Sequence, residues 1–122
     1  MRLKKVEGDF SICRLNNLSE FDKKQSFFFA AKTDEEISLV CLTKDVPDRT
    51  LQREDGWKGF RIQGVLDFSL IGVLAEISSL LAKNGIGIFV VSTYNTDYIF
   101  TKEKDYLRAL DLLVQAGHSI EE

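Results

Sequence analysis

The chain has 122 residues, of which 44% are hydrophobic, 29% are charged and one is proline, a composition typical of a compact soluble unit with a sizeable core. Its formal net charge of -3 does not provide the concentrated positive field that phosphate binding needs, so we expect no nucleic-acid partner. The apolar runs are too short to span a membrane, and MRLKKVEGDF lacks the apolar core of a signal peptide, so we expect a cytoplasmic protein without a membrane partner.

The first half of the chain is dominated by strand patterns. Residues 10–15 (FSICRL) have strand propensity, and residues 4–6 (KKV) predict a short strand leading into them. Residues 26–31 (SFFFAA) and 37–42 (ISLVCL) flank an acidic turn, which predicts an antiparallel hairpin that is apolar on both faces. Residues 43–54 contain Pro47 followed by DRTLQRE, which predicts a short helix with proline in its first turn.

Two cysteines, Cys13 and Cys41, lie inside predicted strands. We favour buried, reduced thiols, because cysteine in such runs behaves as a small apolar residue and disulfides are rare in the cytoplasm. A disulfide or a metal-binding pair is the alternative.

The second half of the chain alternates strands and helices. Residues 57–65 (WKGFRIQGV) predict a half-exposed strand, and residues 69–84 predict an amphipathic helix that ends at Gly85. Residues 86–92 and 97–101 predict two strands joined by the polar turn STYNT. Residues 102–116 predict a second amphipathic helix that ends at Gly117, and residues 118–121 predict a last short strand.

Residues 59–121 therefore have the order βαββαβ. This order predicts a ferredoxin-like α+β fold, in which two helices cover one face of a four-stranded antiparallel sheet. Residues 3–65 repeat the order weakly, with the first helix shortened. We therefore predict two related modules in tandem.

The stretch FSLIGVLAEISSLLAKNGIGIFVVSTYNTDYIF resembles the ACT regulatory domain. It is most similar to small tandem-ACT proteins, which are related to the regulatory end of aspartate kinase and to CASTOR-type arginine sensors. The segments ISLVC and WKGFRIQG also resemble that subgroup, so the resemblance covers most of residues 26–117. Asn95 is a departure, because relatives usually have Asp in an STYDTDY-like stretch.

The resemblance implies a degenerate ACT-like module in residues 1–58 and a complete ACT module in residues 59–122. It also implies regulatory binding of an amino acid or a similar small molecule, without catalysis. Carried over from the family, the ligand-binding residues are Asp67, Phe68, Ser69, Leu70, Ile71 and Gly72 in the loop before the first helix, Gly85, Ile86 and Gly87 before the next strand, and Asn95, Thr96 and Asp97 at the rim.

The chemistry of these positions is consistent with such a ligand. Free N–H groups at a helix start favour a carboxylate, and Asp97 can hold an ammonium group. Each position also has a purely structural interpretation. Ser69 can be only an N-cap, Gly72 only a contact between helix and sheet, and Asp97 only a turn residue.

Enzymatic signatures are missing from the sequence. It contains no G-x-x-x-x-G-K-[ST], C-x-x-C or H-E-x-x-H motif. Acylphosphatase is a ferredoxin-like enzyme whose phosphate loop contains an arginine, whereas VLDFSLIG has none. His118, the only histidine, has no evident Ser, Cys or carboxylate partner, which favours an ordinary surface or cap role. We therefore predict no enzymatic activity, no catalytic residue, no metal site and no cofactor.

A module for protein interaction or oligomerisation, without a ligand, is the main alternative function. Strands that are apolar on both faces require a partner surface whether or not a ligand binds. We therefore expect self-association as a homodimer, with a regulated enzyme or another protein as a further candidate partner.

Overall fold

The computed structural model describes residues 1–63 and 72–122 of the chain. Its strands and α-helices are β1 (Arg2–Leu15), β2 (Phe28–Lys32), β3 (Ile37–Leu42), β4 (Gln52–Ile62), α1 (Val73–Lys83), β5 (Ile88–Ser92), β6 (Asp97–Lys102), α2 (Glu103–Gln115) and β7 (Ser119–Glu121). Single 3-10 turns occur at Leu18–Glu20 and Thr43–Asp45. The chain divides into unit 1, which contains Met1–Glu7 and Lys58–Glu122, and unit 2, which contains Gly8–Trp57. Both β1 and β4 therefore contribute a segment to each unit.

Unit 1 consists of α1, α2 and strands in the order β7-β1-β4-β6-β5. The β5–β6 pair is antiparallel, with Val90 opposite Ile99, whereas β7 runs parallel to the start of β1, with Ser119 opposite Arg2. The prediction of an α+β unit with two helices and a largely antiparallel sheet is confirmed. The predicted set of four strands is incomplete, because the start of β1 lies between β7 and β4 and its Leu3 is fully buried.

The core of unit 1 is formed by apolar side chains from both helices and the sheet. Its buried members are Leu3, Phe60, Ile62, Ile77, Leu81, Ile86, Ile99, Tyr106, Ala109, Leu110 and Leu113. The spacing of these residues along α1 and α2 is the helical periodicity that the sequence predicts. Among the described residues, no helix has the length and apolar character needed to cross a membrane.

Gly59 lies where β4 passes close to β6 and α2. A Cβ atom at Gly59 would lie 2.7 Å from Cε1 of Phe100, which is fully buried. The Gly59 carbonyl also accepts a hydrogen bond of 2.6 Å from the Tyr106 hydroxyl. Burial, and secondarily the charge of Glu122, raises the pKa of Tyr106 to about 12. Position 59 therefore requires glycine, because a Cβ atom does not fit there.

Unit 2 has the strand order β2-β3-β1-β4. The predicted hairpin is confirmed as β2 and β3, which pair antiparallel with Phe29 opposite Val40. Cys13 and Cys41 are both free and buried, as predicted, and burial raises the pKa of Cys41 to about 12. These thiols pack with Leu15, Phe21 and Leu39 into a small core.

The short helix predicted within residues 43–54 is wrong. Only Thr43–Asp45 forms a 3-10 turn, and β4 begins at Gln52. Just before β4, the Leu51 amide donates a 2.8 Å hydrogen bond to the Arg14 carbonyl. Asp55 then accepts from the Ser11 hydroxyl at 2.6 Å. Contacts to β1 therefore outweigh the helical propensity of this segment, which is only a weak preference.

Candidate functional site

One end of unit 1 brings together three segments that are distant in sequence. β4 ends there at Ile62, and the carbonyl of Ile62 accepts a 2.7 Å hydrogen bond from the buried Thr96 hydroxyl in the β5–β6 turn. α1 has 11 residues and is about 16 Å long, and a short link joins its end to the start of β5. The first residue of α1 therefore lies near the other end of β5, where the β5–β6 turn is. We call this region the Gly72 end; it comprises Ile62, Gly72 and residues 93–97.

Gly72 is the N-cap of α1, and it leaves the first turn of the helix without a side-chain cap. Its φ of +91° lies in the left-handed region that glycine favours. A Cβ atom there would meet nothing within 4 Å among the described residues, so the interpretation of Gly72 as a contact between helix and sheet is not supported. The expectation that Gly72 lies inside the helix is wrong, because the helix begins one residue later.

The amide groups of this first turn are hydrogen-bond donors that the helix itself cannot satisfy. They also carry the positive end of the helix dipole, which favours an anionic group. Since the cap residue contributes no side-chain oxygen, a small anion can approach these donors closely.

The three predicted rim residues of the β5–β6 turn differ in solvent exposure and in hydrogen bonding. Asn95 is exposed to solvent, whereas Thr96 is held by its bond to β4. The Asp97 carboxylate accepts a 2.5 Å hydrogen bond from the Ser92 hydroxyl. A carboxylate has further acceptor capacity after one such bond, so Asp97 keeps the ability to accept from an ammonium group.

The predicted site residues do not all meet at one place. Gly85, Ile86 and Gly87 follow α1 and lie at the other end of this helix from Gly72. Ile86 is 3% exposed, and its amide donates to the Leu81 carbonyl, so it completes the helix end. The remaining predicted residues, Asp67, Phe68, Ser69, Leu70 and Ile71, lie outside the described residues, as does the predicted helix start at position 69.

His118 is a residue whose surroundings the sequence did not reveal. The imidazole is buried, and its Nε2 lies 3.6 Å from Oε1 of Glu76, so the expectation that it has no carboxylate partner is wrong. Glu76 and His118 are far apart in sequence, and no spacing pattern links them. Across residues 1–63 and 72–122, no three His, Cys, Asp or Glu side chains are grouped so as to hold a metal ion.

Unit 2 contains a shallow groove of about 380 Å³ between β3, β1 and β4. Charged residues of both signs line it, including Arg14, Arg53, Glu36 and Glu54. Arg53 is paired with Asp55 at 2.9 Å, and this bond, together with that from Ser11, holds the pKa of Asp55 below its usual value. The groove therefore lacks the one-signed field that would select a charged ligand.

Comparisons with known proteins extend these observations. A family model described as the ACT domain matches residues 52–115. The crystal structure of protein Atu0741 from Agobacterium tumefaciens is similar, with 36% identity and a TM-score of 0.85, and the match covers 98% of this chain and 90% of that chain. A search of curated proteins found no match.

Two kinase structures share the fold. An aspartate kinase of Clostridium acetobutylicum, described as an allosteric enzyme, has 15% identity and a TM-score of 0.66 over 93% of this chain and 33% of its own. Aspartokinase α and β subunits have 14% identity and a TM-score of 0.61 over 95% of this chain and 97% of that chain. At this level of identity the likeness concerns the fold alone.

Proposed function

The chain belongs to the ACT domain family, and from this premise we propose that it binds an amino acid and regulates another protein without catalysing a reaction itself. ACT domains are regulatory modules, which supports ligand-dependent regulation as the general role. The proposal adds the ligand class. It treats residues 59–122 as the complete ACT module and residues 1–58 as a degenerate one.

The uncapped first turn of α1 at the Gly72 end is the observation that carries this proposal. The helix itself cannot satisfy the amide groups of this turn, which suit a carboxylate, and the absent side chain at Gly72 leaves room for one among the described residues. The β5–β6 turn at the same end offers Asp97 as an acceptor for an ammonium group. An amino acid carries both groups.

The proposed site therefore centres on Gly72, Asn95, Thr96 and Asp97. It also includes residues 67–71, which the family resemblance assigns to one wall. Gly85, Ile86 and Gly87 are excluded from this centre, because α1 separates them from Gly72 by about 16 Å.

A thermal-shift panel of the twenty amino acids tests the proposal. A ligand that binds only the folded protein stabilises it by about 2.7 kcal/mol at one hundred times its dissociation constant, so a selective ligand should give a clear rise in melting temperature. The proposal predicts such a rise for one amino acid or for a chemically related group of them.

Substitution of Gly72 then locates the site. Gly72→Asp places a carboxylate where we propose the ligand carboxylate, and should abolish the shift. Gly72→Asn has the same size and the same left-handed backbone without the charge, and should retain more binding. Gly56→Asp is the matched control in unit 2, because Gly56 also has a positive φ and open space around it.

Both aspartate variants should lose about 1 kcal/mol of stability from backbone strain, so the ligand response and not the melting temperature separates them. An unchanged ligand response in Gly72→Asp would place the pocket elsewhere. If no amino acid shifts the wild type, amino-acid binding is wrong and the interaction function takes its place.

Self-association is the second candidate function. β5 stands at one end of the strand order of unit 1, and its apolar side chains are only half-buried. α2 also exposes Leu107 and Val114, which are 71% and 52% exposed. We therefore propose a homodimer, with a regulated enzyme as a further protein partner. Light scattering that gives a monomer of 13.9 kDa at micromolar concentrations would contradict the dimer.

A further inference from the structure

The imidazole of His118 is buried, and only 6% of its side chain is exposed. Among residues 1–63 and 72–122, neither its Nδ1 nor its Nε2 has a hydrogen-bond partner. Such groups are rare in folded proteins, because they have given up their bonds to water without replacement. A buried polar group without a partner in a native protein calls for an explanation such as a functional role or a bound water or ion.

The backbone fixes this imidazole at the Gly72 end of unit 1. The His118 amide donates to the Leu113 carbonyl at the end of α2, and the next amide, that of Ser119, donates to the Met1 carbonyl. In the neighbouring strand, the Gln63 amide donates to the Arg2 carbonyl, so this part of β1 adjoins the end of β4. These bonds place the backbone of His118 at the same end of unit 1 as the start of α1.

Glu76 connects the imidazole to α1. It follows the N-cap by four residues, and a helical side chain extends over the turn that precedes its own Cα. The carboxylate of Glu76 therefore lies over the first turn of α1, where it faces His118 Nε2 at 3.6 Å. Its side chain is 67% exposed, so it can rotate as a ligand approaches.

We propose that His118 and Glu76 add a second donor for the α-carboxylate and a second acceptor for the α-ammonium group of the ligand, beside the first-turn amides of α1 and Asp97. His118 Nε2–H donates to the carboxylate, and Glu76 accepts from the ammonium group. The two charged groups of an α-amino acid are attached to one carbon, and their spacing suits an imidazole and a carboxylate that are 3.6 Å apart. This inference rests on the proposed amino-acid binding and extends the site from the β5–β6 turn to the segment between α2 and β7.

The side chain of the ligand would then point away from this pair. Recognition of the groups that all α-amino acids share is distinct from recognition of the side chain. Removing the pair should therefore weaken binding of every amino acid that the wild type accepts by a similar factor, and leave their order of affinity unchanged.

Because the chain has a single histidine, nuclear magnetic resonance can follow His118 without any substitution. Titration with the amino acid that gives the largest thermal shift should move the imidazole carbon-bound proton resonances, and the movement should saturate with the same dissociation constant. Imidazole resonances that stay in place while the ligand saturates the protein would overturn the inference and leave amino-acid binding intact.

Two substitutions of His118 give an independent test. His118→Phe keeps a ring of similar size and removes both nitrogens, so affinity should fall about tenfold or more while the protein stays folded. His118→Gln keeps a donor near the position of Nε2 and should retain most of the affinity. If His118→Phe does not fold, the Gln variant and the resonance titration decide the question.

Glu76→Gln completes the test, with Glu103→Gln as the matched control. Glu103 also lies in the first turn of a helix, but α2 begins at the far end of unit 1. Affinity should fall about tenfold in Glu76→Gln and stay unchanged in Glu103→Gln. Equal affinities in Glu76→Gln, His118→Phe and the wild type would show that the pair is only structural. A wild type that binds none of the twenty amino acids would overturn both this inference and the proposed function.

Discussion

The two units differ in whether side chains cap the helical segment that follows β1 or β4. In unit 2, Asn17 caps the 3-10 turn that follows β1 by accepting from the Ser19 amide at 2.9 Å, and Glu20 accepts from the Asn17 amide at 2.6 Å. In unit 1, α1 starts at Gly72, which has no side chain to offer. Unit 2 thus satisfies such donors with its own side chains, whereas the N-cap residue of α1 provides no side-chain acceptor. This difference is why we place the proposed site in unit 1.

The two units also differ in how they are stabilised. Unit 1 buries its core between a sheet and two α-helices. Unit 2, all of whose residues are described, has no α-helix, and its only helical segments are two 3-10 turns. Unit 2 relies instead on a small core and on aromatic pairs such as Phe21 and Phe28, whose ring centroids are 5.2 Å apart. The following substitutions test this comparison.

Truncation within the core of unit 1 should have the largest effect. Leu113 is fully buried against both helices and the sheet, so Leu113→Ala should lower the free energy of unfolding by about 2–5 kcal/mol. Leu107→Ala on the same helix is the control, because Leu107 is 71% exposed. Urea denaturation measures both. Equal losses in the two variants would show that α2 does not anchor the unit as described.

Tyr106→Phe should have the next largest effect. It removes the donor to the Gly59 carbonyl and leaves that group buried without a partner, at a cost of about 1–3 kcal/mol. Tyr94→Phe is the control, because the Tyr94 side chain is fully exposed. A Tyr106→Phe protein as stable as the wild type would show that this hydrogen bond contributes nothing.

The pKa of Tyr106 also predicts alkaline sensitivity. Folding raises this pKa from 10.0 to about 12, so the unfolded chain loses the proton first as pH rises. The contribution of the neutral phenol to stability is complete below about pH 10 and is lost as pH approaches 12. Denaturation midpoints across this interval should fall less steeply in Tyr106→Phe than in the wild type.

The cap in unit 2 should contribute less. Asn17→Ala removes the acceptor for the Ser19 amide and should cost about 0.5–1 kcal/mol, because such caps are exposed to water. Asn16→Ala is the control, since only its backbone amide takes part in the capping, through Glu20. If Asn17→Ala leaves the free energy of unfolding unchanged, the capping hydrogen bond does not stabilise unit 2.

The smallest effect should come from the exposed ion pair in unit 2. The Arg53 hydrogen bond is the main cause of the lowered pKa of Asp55, so the stabilisation is complete above the usual value of 3.8 and is lost as pH falls through the lowered pKa. Arg53→Gln should therefore move acid unfolding to slightly higher pH. Arg49→Gln makes the same charge change at an exposed position and should behave as the wild type.

Elements whose apolar pattern lies within their own segment were predicted closely. β3 and α2 carry their own periodic patterns, and both were predicted within one residue of their observed bounds. The start of β1 was also predicted, as a short strand at residues 4–6. The start of β4 is polar and forms a strand because of distant neighbours, and no pattern within residues 52–56 signals such pairing.

The candidate site shows the same limit. Gly72 and Asp97 were predicted from the family resemblance, but only the structure shows that Gly85 lies at the far end of α1. The contact between Glu76 and His118 depends on how α1 and α2 pack, which a single sequence does not reveal.

The division of the chain has a consequence for folding during synthesis. Residues 2–7 belong to unit 1, but the ribosome makes all of unit 2 before it makes the rest of unit 1. Unit 2 can therefore fold while the strand of residues 2–7 still lacks its neighbours. The pairing of Arg2 with Ser119 is a late step, because Ser119 is made only after unit 2 and both α-helices of unit 1. Until β7 emerges, the edge of this strand stays open to chaperones and to other nascent chains.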